Sequence, residues 1–231
     1  MKHIGVAGIT VPGSLLCIDT IVDESYKHFG ADSGKHPRIT YTNPPLSETD
    51  LPMIARNWDK VAEDLLESIQ ILARAGADFA IIPSNSPHYA VPSVQARAPI
   101  PVMSIVDITV KECQTRGFNK VGILGVDVTM SDGLYEQPLR DLGIEPYTLD
   151  SNDQEDLNRL LYDEVIHGKP TIQTGDKMRV FITKLQDAGC DGFIAGCTEI
   201  PVVITNEDDS PLPFVDTTRL LAVKAFDEAI H

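Results

Sequence analysis

Cysteine is scarce in this chain, and the little there is lacks pattern. The four cysteines among 231 residues, Cys17, Cys113, Cys190 and Cys197, form no CxxC pair, which argues against a disulfide-stapled secreted scaffold and a thiolate cage for zinc. The six histidines are scattered, so no metal site is expected. Basic residues are in deficit: 19 Lys and Arg stand against 34 Asp and Glu, a formal charge of −15. Such a surface repels a phosphate backbone or an anionic membrane, so neither nucleic acid nor membrane is expected as a partner. Long apolar runs are missing too, and no stretch approaches the ~18 residues of a membrane span. The N-terminal stretch "IGVAGITVPGSLLCI" is broken by Gly and Pro and runs straight into Asp19, Asp23 and Glu24. With no small-residue cleavage site it does not read as a secretory signal, and a reducing cytoplasm is the expected compartment.

What is present is enough apolar content, 42%, to bury a substantial core without staples. Short β-branched runs alternate with longer amphipathic stretches, the pattern of βα units around a mostly parallel sheet. Strands are expected at 3–9, 38–43, 78–83, 100–106, 120–126, 191–196 and 213–217, with a short one at "EPYTL". Helices are expected over 14–29, 51–75, 88–97, from the end of the 100–106 strand to Arg116, 131–142, 152–167, 174–188 and from Arg219 onward, the longest closing at Gly76.

The chain also repeats itself. "AGADFAIIPSNSP" (75–87) aligns with "AGCDGFIAGCTEI" (188–200) at a constant offset of 113, which sets Ser84 opposite Cys197. "HIGVAG" (3–8) aligns with "KVGILG" (120–125), and "IPVMS" (100–104) with "LPFVD" (212–216), in the same order. Three ordered matches imply an α/β fold of two pseudo-symmetric domains, each a mostly parallel sheet flanked by helices. The expected boundaries are 1–98 plus 213–231 for the first domain and 99–212 for the second. Open parallel sheets bind ligands at the C-terminal ends of their strands. The active site is therefore expected at the domain interface, with Ser84 and Cys197 facing one small molecule from opposite sides.

Cys197 stands between a strand and the expected start of a helix, where unpaired backbone N–H groups lower a thiol's pKa from about 8.5. Cys17, Cys113 and Cys190 read as packing residues. Asn85 and Ser86 either donate hydrogen bonds to a bound carboxylate or cap the next helix, and Thr198 and Glu199 present the same choice. His88 is either a proton relay for Ser84 or a structural histidine. "GITVPGS" (8–14) has the glycine spacing of a phosphate loop but no lysine before its serine, which argues against nucleotide binding there.

The motifs "GCTEIP" (196–201) and "SNSPHY" (84–89), with the Ala-Gly pair ahead of each strand, resemble the paired catalytic signatures of the aspartate/glutamate racemase superfamily. The resemblance spans the whole chain. It implies cofactor-independent racemisation of an amino acid or related dicarboxylate by a homodimeric enzyme: one residue removes the α-proton and its counterpart delivers one to the opposite face. Carried onto this chain, the two are Cys197 and Ser84. The first signature of most relatives reads Cys-Asn-Thr-x-His, so Ser84 occupies a cysteine's place while Asn85, Ser86 and His88 match the remainder. A hydroxyl residue there also resembles the L-aspartate/glutamate-specific racemases, which pair threonine with cysteine. The usual Gly-Gly-Met loop is represented by "AGITVPGS" (7–14), with Thr10 as the implied substrate contact. Lys169 in "HGKPT" resembles a basic substrate contact, although a solvated helix-end lysine reads the same way. Two alternatives stay open: a one-base decarboxylase or isomerase using Cys197 alone, and a non-catalytic small-carboxylate binding protein.

Overall fold

The computed structural model describes residues 1–166, 169–205 and 210–231. His167 and Gly168, which end the helix expected over 152–167 and open "HGKPT", lie outside the described residues. The chain forms two compact units, Met1–Ile108 with Thr218–His231, and Thr109–Thr217.

In the first unit the elements run β1 (Ile4–Ala7), α1 (Val11–Phe29), β2 (Ile39–Thr42), α2 (Leu46–Ile54), α3 (Trp58–Arg74), β3 (Phe79–Ile81), a 3-10 turn over Ser86–Tyr89, α4 (Val91–Gln95), β4 (Val102–Met103) and the start of α5 (Ile105–Thr115). The second continues with β5 (Lys120–Leu124), α6 (Asp127–Ser131), α7 (Glu136–Asp141), β6 (Glu145–Tyr147), α8 (Ser151–Leu160), a π-helical stretch over Leu161–Ile166, α9 (Ile172–Asp187), β7 (Gly192–Ala195), α10 (Ile200–Val203) and β8 (Phe214–Asp216). The C-terminal α11 (Thr217–Ile230) returns to the first unit.

Both sheets are parallel and four-stranded, in the orders β2-β1-β3-β4 and β6-β5-β7-β8. The central strands β1, β3 and β7 are buried along their whole length. Helices on both faces of a parallel sheet explain why these strands read as unbroken apolar runs rather than alternating ones. Each of the three repeated sequence blocks falls on equivalent strands: β1 with β5, β3 with β7, and β4 with β8.

Backbone hydrogen bonds repeat at the same spacing. Gly76 N–H donates to Ala73 and Ala77 N–H to Leu72; 113 residues on, Gly189 donates to Gln186 and Cys190 to Leu185. Gly76 and Gly189 take φ of +89° and +82°, a left-handed turn that glycine enters without strain and that satisfies the last helical carbonyls. The aspartate two residues after each glycine then clamps the neighbouring central strand. Asp78 accepts the His3 N–H at 2.6 Å, and Asp191 accepts those of Asn119 at 2.8 Å and Lys120 at 3.1 Å.

The domain boundaries differ from those expected at 98 and 213. The strand at 102–103 pairs with β3, Ala80 opposite Val102, so it stays in the first sheet. The strand at 214–216 pairs with β7, Phe193 opposite Phe214, so it stays in the second. The crossings therefore come after Ile108 and after Thr217. The helix expected over 51–75 is two, α2 and α3, broken where Arg56 turns left-handed at φ +53° and Asn57 accepts the Lys60 N–H as the cap of α3. Among the described residues, no helix is long and apolar enough to cross a membrane.

Candidate active site

The functional side chains expected from the repeat stand just beyond the C-terminal ends of β3 and β7, one group in each unit. Beyond β3 the chain turns sharply, with Ser84 N–H donating to the Ile82 carbonyl at 2.8 Å. Ser84 is half-buried, while Asn85, Ser86 and His88 are buried. The Asn85 side chain does not cap the 3-10 turn that follows, which removes one of its two expected roles and leaves the other untouched.

His88 has structural work. The Ile105 N–H, which can only donate, reaches its Nε2 at 3.1 Å, so the ring proton is on Nδ1 and is donated to the Ser84 carbonyl at 2.8 Å. The ring thus joins the turn after β3 to the first turn of α5, satisfying one of that helix's otherwise unpaired amides. Burial holds its pKa down at about 4, because imidazolium is poorly solvated there. The proton relay expected of His88 is corrected accordingly: both nitrogens serve the backbone, and neither is directed to the Ser84 hydroxyl.

The loop after β1 contributes Thr10, whose side chain accepts the Gly13 N–H at 3.3 Å as the cap of α1, a contact worth about 1 kcal/mol. Around it lies a polar cluster that the sequence reading missed. A Cβ on Gly8 would stand 2.4 Å from Asn43 Oδ1, 2.5 Å from Tyr41 Cε2 and 2.7 Å from Ser14 Oγ. Tyr41 donates its hydroxyl to Asn43 Oδ1 at 2.7 Å. The available signal was "YTN" at the end of the second strand, at the same C-terminal end of the parallel sheet as Ser84.

The turn after β7 is built on two close backbone approaches. Gly196 N–H donates to Leu124 O at 2.7 Å, and a Cβ on Gly196 would lie 3.0 Å from that same oxygen. A Cβ on Gly125 would lie 3.0 Å from Gly196 O. Glycine at both places lets β5 and β7 end side by side and brings Cys197, Thr198 and Glu199 together, each buried. Their side chains converge on one atom: Glu199 Oε2 accepts the Cys197 Sγ–H at 3.1 Å and the Thr198 hydroxyl at 2.6 Å.

The thiol's ionisation runs opposite to expectation. Burial raises the Cys197 pKa well above the usual thiol range, and the Glu199 carboxylate beside it adds to the effect. The helix whose N-terminus was expected to favour thiolate, α10, has only four residues, too short to contribute much dipole. In this arrangement Cys197 is a thiol.

These two polar turns, at equivalent ends of two equivalent sheets, invite comparison with known proteins. The family profile of the Asp/Glu/hydantoin racemases matches residues 6–225. The chain belongs to that family. Among relatives of this family, the broad-specificity amino-acid racemase RacX of Bacillus subtilis is 24% identical over 94% of this chain and 93% of its own. An aspartate racemase homologue from Pyrococcus horikoshii superposes with a TM-score of 0.85 at 26% identity, covering both chains fully. The Picrophilus torridus aspartate racemase shares the fold, with a TM-score of 0.79 at 20% identity over 99% of this chain and 94% of its own.

The remaining sequence candidates separate cleanly. Lys169 is exposed, two residues ahead of Thr171, the cap of α9. Cys113 and Cys190 are pushed up by burial to about 12 and about 11, which makes them poor nucleophiles; Cys17 is buried in α1. Among the described residues, no three His, Cys, Asp or Glu side chains stand close enough to hold a metal ion.

Proposed function

We propose that this protein is a cofactor-independent racemase of aspartate, glutamate or a close analogue, transferring a proton at Cα between Cys197 and Ser84. The observation that carries the reading is the buried Cys197 thiol just beyond the end of β7, hydrogen-bonded to a carboxylate that can move its proton. Family membership and the racemase relatives support the reaction class. The reading requires both turns to reach one substrate, in a protein that acts as a homodimer. Cys197 as thiolate removes the α-proton, and the Ser84 hydroxyl delivers one to the opposite face. Thr10, Asn85, Ser86, Thr198, Glu199 and Lys169 are the proposed substrate contacts, with Lys169 offsetting the acidic surface for a dicarboxylate. The compartment is the cytoplasm.

One feature favours a second reading. Among the described residues the Ser84 hydroxyl has no hydrogen-bonding base, since His88 is committed to the backbone. A one-base enzyme, with Cys197 alone adding and removing protons in a decarboxylation or isomerisation, would need none. Incubating D- and L-amino acids with the protein in D2O and following Cα–H by NMR separates the readings. Exchange with inversion, lost about 10³-fold in Cys197→Ala, supports the racemase. Exchange with retention supports the one-base site. Binding without exchange identifies a small-carboxylate binding protein, and full activity of Cys197→Ala refutes the role given to the thiol.

A further inference from the structure

The racemase reading makes no use of a pocket in the first unit. It lies between the loop after β1, α2 and α3, walled by Ile9, Met53, Val61 and Leu65, with room for the centre of one water-sized group, about 10 Å³. Those four side chains are buried, so the walls suit methylene groups. One charged side chain lines the pocket. Asp64 Oδ1 pairs with Lys60, one turn earlier on α3 and more than half exposed. The other oxygen, Oδ2, is buried and among the described residues has no hydrogen-bond partner. Thr49 and Ser68, both buried, line the same pocket. Thr49 donates its own proton to the Leu46 carbonyl at 3.2 Å, which leaves its oxygen able to accept.

A buried carboxylate oxygen calls for a donor. A primary ammonium meets the pocket in three respects: it is close to a water molecule in size, it has three N–H donors and no acceptor, and its charge opposes that of Asp64. Asp64, Thr49 and Ser68 offer it three acceptors. Lys60 competes weakly for the carboxylate, because an exposed i,i+4 pair is screened by water. We propose that this pocket binds a primary alkylammonium group, with Asp64 as its counter-ion and its aliphatic stem against Ile9 and Met53. Two sources share that chemistry: the side chain of a basic amino acid such as lysine, held as substrate beside the loop after β1, or a free amine bound apart from the reaction. Only the first rests on the racemase reading.

Titration calorimetry with n-butylammonium at pH 7.5 is expected to show saturable binding to the wild type, with n-butanol, the uncharged control, weaker by about tenfold or more. Asp64→Asn, matched in size, is expected to lose about tenfold or more of the affinity. Lys60→Ala, which leaves Asp64 without its surface partner, is expected to tighten binding about twofold, whereas general damage to the fold would weaken both variants. No saturable binding by the wild type, equal affinity in Asp64→Asn, or binding by Lys60→Ala no tighter than wild type overturns the proposal and leaves ordered water as the partner of Oδ2. If Asp64→Asn does not fold, Ser68→Ala takes its place, with affinity expected to fall about threefold and an unchanged affinity overturning the proposal. Exchange of the α-proton in D2O separates the sources. Lysine exchange that falls about tenfold in Asp64→Asn while norleucine exchange holds assigns the ammonium to a substrate. Lysine exchange absent from the wild type, or untouched by the substitution, assigns the site to a free amine. A wild type that exchanges no amino acid refutes the racemase reading instead, while the calorimetry, which needs no turnover, still decides the pocket.

Discussion

His88 makes the first unit sensitive to acid in a way that can be worked out from two hydrogen bonds. Folded, its pKa is about 4; unfolded, a histidine titrates near 6.5. The unfolded chain therefore takes up the proton first as pH falls. The stability held by neutral His88 is complete above about pH 6.5 and is lost progressively as pH drops through the folded value near 4. Linkage gives a loss of about 2 kcal/mol at pH 5 relative to pH 7.5. His88→Gln keeps a donor and an acceptor but gains no proton. At pH 7.5 it is expected to cost about 1–3 kcal/mol, because one of Ile105 N–H and Ser84 C=O is left poorly paired. At pH 5 the gap between wild type and variant should shrink by about the same 2 kcal/mol. Trp58, the one tryptophan in the chain, packs on Tyr89 beside this turn with ring centroids 4.7 Å apart, so its fluorescence reports urea unfolding where the effect originates. A gap that stays constant between the two pH values would refute the buried-neutral account of His88.

Replacing Ser84 by cysteine gives the first turn a group that ionises more readily than a hydroxyl, and turnover of aspartate or glutamate is expected to rise about tenfold or more; a drop in the rate of polarimetric racemisation would show that Ser84 is not the second acid. Gly196→Ala forces a Cβ to 3.0 Å from the Leu124 carbonyl, a backbone atom that cannot step aside. It is expected to lose about 1–3 kcal/mol in urea unfolding. Gly175→Ala inside α9, where the nearest neighbour is the far end of the Arg179 side chain at 3.4 Å, an ordinary contact distance, is expected to be neutral or gain up to about 1 kcal/mol. Equal effects at the two glycines would contradict the packing argument.

The repeat was the most legible feature of the sequence because parallel βα units write the same punctuation twice. Ala-Gly-x-Asp encodes a helix stop, a left-handed turn and a strand clamp, and the hydrogen bonds at Gly76 and Gly189 reproduce it residue for residue. The boundaries were misplaced because a strand two residues long, such as Val102–Met103, carries too little pattern to show which sheet it joins. Only the pairing with Ala80 and Ile81 decides that. The positions of Cys197 and Ser84 at strand ends followed from the alignment, but their ionisation did not. Nothing in "GCTEI" reveals that Glu199 folds back onto the sulfur two residues earlier, or that α10 stops after one turn. His88 was ambiguous for the same reason, since its partner at Ile105 is 17 residues away.

The frames that carry Cys197 and Ser84 match, but their contents do not. At the same offset of 113, Glu199 corresponds to Ser86 and Thr198 to Asn85, so the carboxylate beside the thiol has no counterpart beside the hydroxyl. For a racemase built on this pair, each turnover leaves the free protein in a different protonation form from the one that began it, and the protein must reset before it can accept the same enantiomer again. On such a pair the thiol has a carboxylate at hydrogen-bond distance, whereas the serine would exchange its proton with water. At high substrate concentration that reset, rather than the chemistry at Cα, becomes the slow step, and it does so unequally for the two enantiomers even though their kcat/KM values are bound to be the same.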